Sequence, residues 1–407
     1  MNDTGVDAGG VATFEQVDWD EYEASGHVVD LRTVGFLVAV GVLVAVFSYD
    51  YLVIVKAHSL PGGFDPSRLE WLSLLSVVVL AFYVVWPLAA NRGLTLRYWR
   101  RLRKRPFALA AAAFLLLLTA AALLGPLLLD EPRNVVWTGE VPPRGLMLAQ
   151  PPAFSSVEMT RESGVLACRG AVRDGRCFGT LAHPLGTTRS GVDVLAFLLY
   201  GARTTLQIAL VTAVLLVPFA TIVGTVAAYA GGWLDEVLMR YVDLQQVVPG
   251  FLAYLLYQYL YGPSLFVIVL LFGLLDWDRI ARQVRGDALR KRGAGYVVAA
   301  RSAGSTHLDT VRRHLVPNVA DTVVSRTTLQ IPFVLVAEVT LTFLGLVQME
   351  TASWGVLLKI GFGSRFRGGP QWWSLYPPLI ALVVTIAAFA VFGDALRDVL
   401  NPRGGGQ

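Results

Sequence analysis

Residues Val298–Asn318 read VAARSAGSTHLDTVRRHLVPN, a basic stretch between two apolar runs that are each long enough to cross a membrane. The spacing predicts two short helical pieces, broken at Gly304 and stopped at Pro317. Thr306 can cap the second piece, and Asp309 three positions on completes a pattern like a capping box. Leu308, Val311 and Leu315 fall at i, i+3 and i+7, so a regular helix would put them on one apolar stripe. Arg312, Arg313 and His314 occupy its last turn, where cations suit the helix dipole. Gly304 can take the left-handed conformation that closes the first piece near Tyr296–Ser302. Two readings fit this elbow: an amphipathic helix resting on lipid phosphates, or a helix that docks in a groove of a partner.

The rest of the chain decides between fold classes. Of 407 residues, 55% are hydrophobic and only 16% charged, with a mean hydropathy of +0.55. Apolar runs of about 18 residues recur, which points to an all-α polytopic membrane bundle. A barrel would alternate apolar and polar residues instead. Eight spans are expected: 33–55, 71–90, 107–129, 204–230, 242–260, 263–277, 322–347 and 376–392. Pro249 and Pro332 fall inside two of them and are expected to kink them. Trp354, Trp372 and Trp373 are expected at a membrane interface.

Charge distribution orients these spans. Residues 91–106 carry seven Lys or Arg and no acid, and residues 279–318 carry nine against Asp287 and Asp309. Both segments belong in the cytoplasm, and the chain would begin and end there. Loop 130–202, with seven acids and seven basic residues, would lie outside. It holds the only two cysteines, Cys168 and Cys177, for which a disulfide and two unpaired thiols are both open readings. The first 30 residues contain eight acids and no Lys or Arg, as expected of a disordered cytoplasmic tail without a cleavable signal. The expected division is a tail over 1–30, a two-span hairpin with its basic linker over 31–106, and a core over 107–403.

At the level of motifs, the chain resembles the dipeptide/oligopeptide-type permease subunit of ABC importers. Val298-Ala299-Ala300, Gly304 and the run from His314 to Pro317 have the spacing of that family's EAA loop. His183–Thr187 (HPLGT), Gly191–Leu195 and Gly201-Ala-Arg203 resemble its entry to the next span. Further similarity lies in Gly231–Asp235 with Met239, Arg240 and Asp243, in Ala337-Glu338, Leu341–Leu346 and Ser353–Gly355, and in Gly393-Asp394, Leu396–Asp398 and Pro402-Arg403. The resemblance spans roughly residues 92–403. Val298 stands where the motif has its glutamate, and Thr188 and Arg189–Ser190 replace the usual acids after HPLGT.

The resemblance implies a permease with a six-span core, lying in the plasma membrane with a second permease, two cytoplasmic ATPase subunits and a secreted binding protein. Ala299, Ala300, Gly304, Leu308, Val311, Arg312, Arg313, Leu315 and Pro317 would form the ATPase-coupling elbow. Glu338, an ionisable group inside a span, could line the path or make a structural hydrogen bond. Arg240 and Asp243 could pair with each other at the inner surface. The chain has no G-x-x-x-x-G-K-[ST] loop, no H-E-x-x-H pair and no G-x-S-x-G elbow, so no catalytic, metal or cofactor residue is expected. Competing readings are the same machine moving a nickel chelate or another small solute, an ion-driven secondary transporter, and a membrane enzyme. No nucleic-acid role follows from the net charge of +4.

Overall fold

The computed structural model describes residues 31–53, 66–129, 156–158, 172–173, 176–178, 183–188, 192–347, 352–364 and 372–400. The acidic tail, Cys168 and most of the long loop lie outside them. The chain divides at residues 57/58. The first unit holds α1 (Leu31–Val53), a 23-residue apolar helix. The second unit holds all the other described residues.

That unit begins with α2 (Arg68–Ala90), whose start is a complete capping box: the Ser67 side chain accepts from Glu70 N–H, and Glu70 accepts from Ser67 N–H. Next come α3 (Arg92–Leu102) and α4 (Pro106–Leu128). Three short strands follow, β1 (Ser156–Glu158), β2 (Val172–Arg173) and β3 (Arg176–Phe178), in the order β1-β3-β2. Val157 lies opposite Cys177 in the antiparallel register. The remaining helices are α5 (Val194–Ala230), α6 (Gly232–Val247), α7 (Gly250–Tyr261), α8 (Leu265–Leu275), α9 (Asp278–Arg292), α10 (Gly295–Ser302), α11 (His307–Phe343), α12 (Trp354–Ser364) and α13 (Trp372–Leu400).

Among the described residues six helices, α1, α2, α4, α5, α11 and α13, are long and apolar enough to span a bilayer. Neither the expected fifth span nor the sixth is a single helix long enough to cross a membrane. The fifth is split into α6 and α7 at Val248-Pro249, because Pro249 starts a new helix as its N-cap and does not kink a continuous one. The sixth is represented by α8, only 11 residues long, about half of what a 30 Å hydrocarbon layer needs at 1.5 Å per residue. Such breaks leave backbone carbonyls unsatisfied unless the protein supplies donors. Here the buried Gln245 amide donates to Leu274 O at 3.0 Å and Leu275 O at 2.7 Å, so one break closes the other.

Helix α5 is the axle of the unit. It packs on α2, α4, α8, α9 and α11. Ile208, Val211, Tyr254, Ile268, Leu335 and Leu341 form the middle of the core. Leu216, Ala220, Ala228, Ile280, Val284 and Val319 form the layer at one end. At that layer α5 and α9 approach through small residues, as membrane helices do when lipid offers no hydrophobic gain. A Cβ on Gly224 would sit 2.6 Å from Ala281 O and 2.8 Å from Val284 Cβ. At the other end Leu118, Ala202, Trp354, Leu358 and Leu382 cluster. Leu69 of α2 joins the middle core. The second apolar helix is therefore part of the same compact unit as the helices that follow it.

Two indoles expected at a lipid interface are core residues instead. Trp354 is 2% exposed and donates to Leu198 O at 3.0 Å. Trp373 is buried and donates to Thr187 O at 2.9 Å. Their N–H groups are satisfied inside the bundle, which removes the reason for an interfacial position.

Candidate functional site: the elbow

The elbow is built from the end of α9 to the start of α11. Helix α10 ends in a Schellman motif: Ser305 N–H reaches Ala300 O and Gly304 N–H reaches Arg301 O, both at 3.1 Å. Gly304 has φ +87°, a left-handed conformation that residues with a Cβ adopt at a cost, and no atom stands within 4 Å of its would-be Cβ. Its role is thus conformational and not a matter of space. Thr306 then caps the next helix by accepting from Asp309 N–H at 3.2 Å, as the sequence suggests.

Pro317 does not stop this helix. His307–Phe343 is one continuous helix of 37 residues. The proline is accommodated by a π turn over Thr310–Leu315, in which Val316 N–H reaches back five residues to Val311 O. Widening the turn relieves the ring clash with the preceding carbonyls, and Asn318 donates its side-chain amide to His314 O at 2.6 Å. Helix α2 uses the same device: a π turn over Ala81–Val85, with Trp86 N–H to Ala81 O, lies just before Pro87.

The π turn also breaks the expected stripe. Leu315 is fully buried, Val311 is half-buried and Leu308 is 75% exposed. One extra residue in the turn rotates the helix beyond it, so Leu315 faces the bundle while Leu308 faces out. The outward face of the elbow comprises Leu308, Arg312 and Arg313 with Val298 and Ala299 of α10, while Ala300 is half-buried. Arg313 lies 3.6 Å from Asp309. Val297, beside Val298, is fully buried and pins α10 to the bundle.

Three sets of contacts hold this elbow to the spans. Tyr229, at the end of α5, brings its hydroxyl 2.8 Å from His307 Nδ1, and the Arg301 guanidinium lies 5.8 Å from its ring centroid. Arg292 donates to Ala228 O at 2.7 Å. Asp287 of α9 accepts from Lys291 and Thr322 at 2.9 Å each and from Arg290 at 3.1 Å. Burial alone would raise the Asp287 carboxyl, but hydrogen bonds from Lys291, Thr322 and Arg290 and the Lys291 charge outweigh it and hold the group below its ordinary value. Lys291 also lies 3.5 Å from Asp321 and donates to Asn318 O. Helix α9 is thereby bound to the first half of α11.

Helix α6 is clamped to the same assembly. Arg285 makes a two-pronged pair with Asp235 at 2.5 and 2.6 Å, which raises the guanidinium above its ordinary value chiefly through that hydrogen bond. The expected Arg240–Asp243 pair is absent: Arg240 pairs with Glu236 one turn back, and Asp243 with Arg282 of α9. Residues three apart on a helix are no better placed than these alternatives. Arg105, just ahead of α4, meets Asp398 of α13 at 2.5 Å, and Arg101 of α3 donates to Val399 O at 3.0 Å.

Glu338 is 3% exposed and accepts from Thr342 Oγ1 at 2.9 Å. At the far end the fold joins two motifs that stand apart in the sequence. His183 Nδ1 lies 2.5 Å from Asp193 Oδ2, and the other carboxylate oxygen caps α5 by accepting from Ala196 N–H at 2.9 Å. An acid immediately before a long apolar run was the available signal. Among the described residues no cluster of three or more His, Cys, Asp or Glu could hold a metal.

Fold and elbow together define a multi-pass α-helical membrane protein in which a buried, cross-braced helix begins in an exposed turn. The sequence comparisons place it. Residues 220–404 match the model of the binding-protein-dependent transport system inner membrane component, and residues 94–151 match that of the N-terminal TM domain of oligopeptide transport permease C. The dipeptide transport system permease protein DppC of Bacillus subtilis is 31% identical over 306 residues, 75% of this chain and 84% of that protein. The oligopeptide transport system permease proteins OppC of Haemophilus influenzae and of Bacillus subtilis are 33% and 32% identical over 222 residues, 54% of this chain in each case and 70% and 72% of those proteins. The chain belongs to the family of inner membrane components of binding-protein-dependent transport systems, and it is a transport permease.

Proposed function

We propose that this permease forms half of the path of an ATP-driven importer of short peptides, with the elbow in the cytoplasm as the dock for an ATPase subunit. The observation that carries the reading is mechanical. The exposed surface at Leu308 stands on the first turn of a 37-residue helix that runs on through the bundle. A partner closing on ATP and gripping that turn would move α11 as a rigid lever, and Asp287, Lys291 and Tyr229 would pass the motion to α9 and α5. Glu338, carried on the same lever, is the proposed path residue that this motion would turn. The peptide substrate is taken from the names of the relatives. A second permease, two ATPases and a secreted binding protein complete the proposed assembly, with both chain ends of this subunit inside.

Val298 is half exposed, so the glutamate it replaces would point at the partner and not into the fold. An apolar contact through Val298 and Leu308 takes over from a charged one. The basic elbow favours this orientation over an outward one. An ion-driven transporter would need paired broken helices with midplane ion ligands. The broken helices here satisfy each other through Gln245 instead.

The test is ATP-dependent uptake of radiolabelled trialanine into right-side-out vesicles that hold the complete transporter and are loaded with ATP. Uptake that needs ATP and is abolished by Gly304→Pro supports the reading. Uptake that is driven by an ion gradient alone, with no need of ATP, overturns it.

A further inference from the structure

At the end of the bundle remote from the elbow lies a cavity of about 540 Å³, within the range of small-ligand sites, roughly 300–1,000 Å³. Its wall includes Arg68, Glu70, Tyr200, Arg203, Gln207 and Tyr257. Arg203 of α5 donates through Nη2 to Glu70 Oε1 at 2.7 Å, and Glu70 Oε2 accepts from Ser67 N–H at 2.7 Å. The α2 capping box thus fixes a carboxylate, which in turn fixes a guanidinium on the cavity wall. Both side chains remain open to solvent, 25% for Glu70 and 40% for Arg203.

Charged groups near the membrane in a helical bundle are costly unless they face a watery cavity, and there they commonly mark a solute's route. This wall carries two guanidiniums, Arg68 and Arg203, against one carboxylate, Glu70, among its described residues. The excess is positive. Nη2 of Arg203 is engaged by Glu70, while a guanidinium has further donors in a planar fork that suits a second carboxylate. The tyrosines beside it offer apolar faces with polar tips. Glu70 lies on α2, ahead of both stretches that match the family models, 94–151 and 220–404.

We propose that Arg203, positioned by Glu70 and assisted by Arg68, receives the C-terminal carboxylate of a short peptide entering from this end. The inference rests on the peptide-importer reading above and names the group in the path that meets the substrate. No bond is made or broken. The peptide carboxylate takes up guanidinium donors that Glu70 leaves unused.

The test uses the complete transporter in vesicles, with phenylglyoxal modification of Arg203 read by mass spectrometry. Trialanine at tens of millimolar should slow Arg203 labelling at least threefold, and trialanine amide, which lacks the carboxylate, should not. In Glu70→Gln the peptide-free labelling should rise, and the difference between acid and amide should shrink. Glu70→Asp should restore part of that difference, which a merely structural role would not do. Equal labelling with and without trialanine, in wild-type vesicles that import trialanine, overturns this inference alone. Equal labelling in vesicles that import no peptide overturns it together with the function proposed above.

Discussion

The hydroxyl of Tyr229 lies 2.8 Å from His307 Nδ1, joining the end of α5 to the first turn of α11. The two rings meet edge to face with centroids 5.6 Å apart. Tyr229→Phe keeps the ring contact and removes only the hydrogen bond. A single exposed hydrogen bond contributes about 0.5–1 kcal/mol. Amide exchange over residues 305–310 should therefore quicken about two- to fivefold, with exchange in α9 unchanged. Hydrogen-exchange mass spectrometry on the membrane-embedded protein checks this, and equal exchange would show that the pair does not restrain the elbow.

Gly304→Ala isolates the conformational role of the elbow glycine. Nothing obstructs a methyl group at φ +87°, so the expected loss is the left-handed penalty alone, about 1–2 kcal/mol. Asn at this position should cost less than Ala, because its short polar side chain tolerates that conformation. Thermal unfolding of the three proteins in the same lipid gives the order Gly, Asn, Ala. An Ala variant as stable as wild type would remove the requirement for a left-handed residue.

Asp287 sets a pH dependence. Its folded carboxyl sits below the ordinary 3.8, so its pairing with Lys291, Arg290 and Thr322 stabilises the fold fully above that value. The contribution is lost as pH falls through the depressed folded value, below 3.8. Asp287→Asn should lower stability at pH 7 by about 1.5–3 kcal/mol, the range for hydrogen bonds to a charged group. The gap between wild type and variant should narrow only below pH 4. A gap independent of pH from 7 down to 3 would assign the effect to shape and not to charge.

Gly224→Ala tests the α5–α9 crossing. The added methyl meets the Ala281 carbonyl and Val284 at under 3 Å, and overpacking of this kind costs about 1–3 kcal/mol. The same change at Gly286 of α9, where nothing lies within 4 Å, should be neutral or slightly stabilising. The comparison is read by unfolding of both variants in one bilayer. If the two behave alike, the close approach is not what holds α9 in place.

Much of this architecture was legible in the sequence. Apolar run length marked α1, α2, α4, α5, α11 and α13, and Gly304, Thr306 and Asp309 gave the elbow's bend and cap because those signals are local. The features that escaped the sequence depend on tertiary contacts. Pro317 reads as a helix stop, yet a π turn carries the helix past it, and the same turn moves Leu315 inward and leaves Leu308 out. Pro249 reads as a kink within one span, while the break it makes is sustained by Gln245 from α6 reaching the end of α8. Trp354 and Trp373 read as interfacial until their partners, Leu198 O and Thr187 O, are located in space. Arg203 and Glu70 are 133 positions apart, and nothing in either neighbourhood announces the other.

The central claim is that the outward face at Leu308 docks an ATPase subunit. Leu308→Asp leaves the fold's buried contacts intact, since the side chain is 75% exposed. Co-purification of the ATPase subunit with the affinity-tagged permease from solubilised membranes is the direct measurement. The account predicts at least a tenfold loss of bound ATPase in Leu308→Asp, with the permease itself inserted at wild-type levels. Wild-type amounts of ATPase bound to the variant would contradict it.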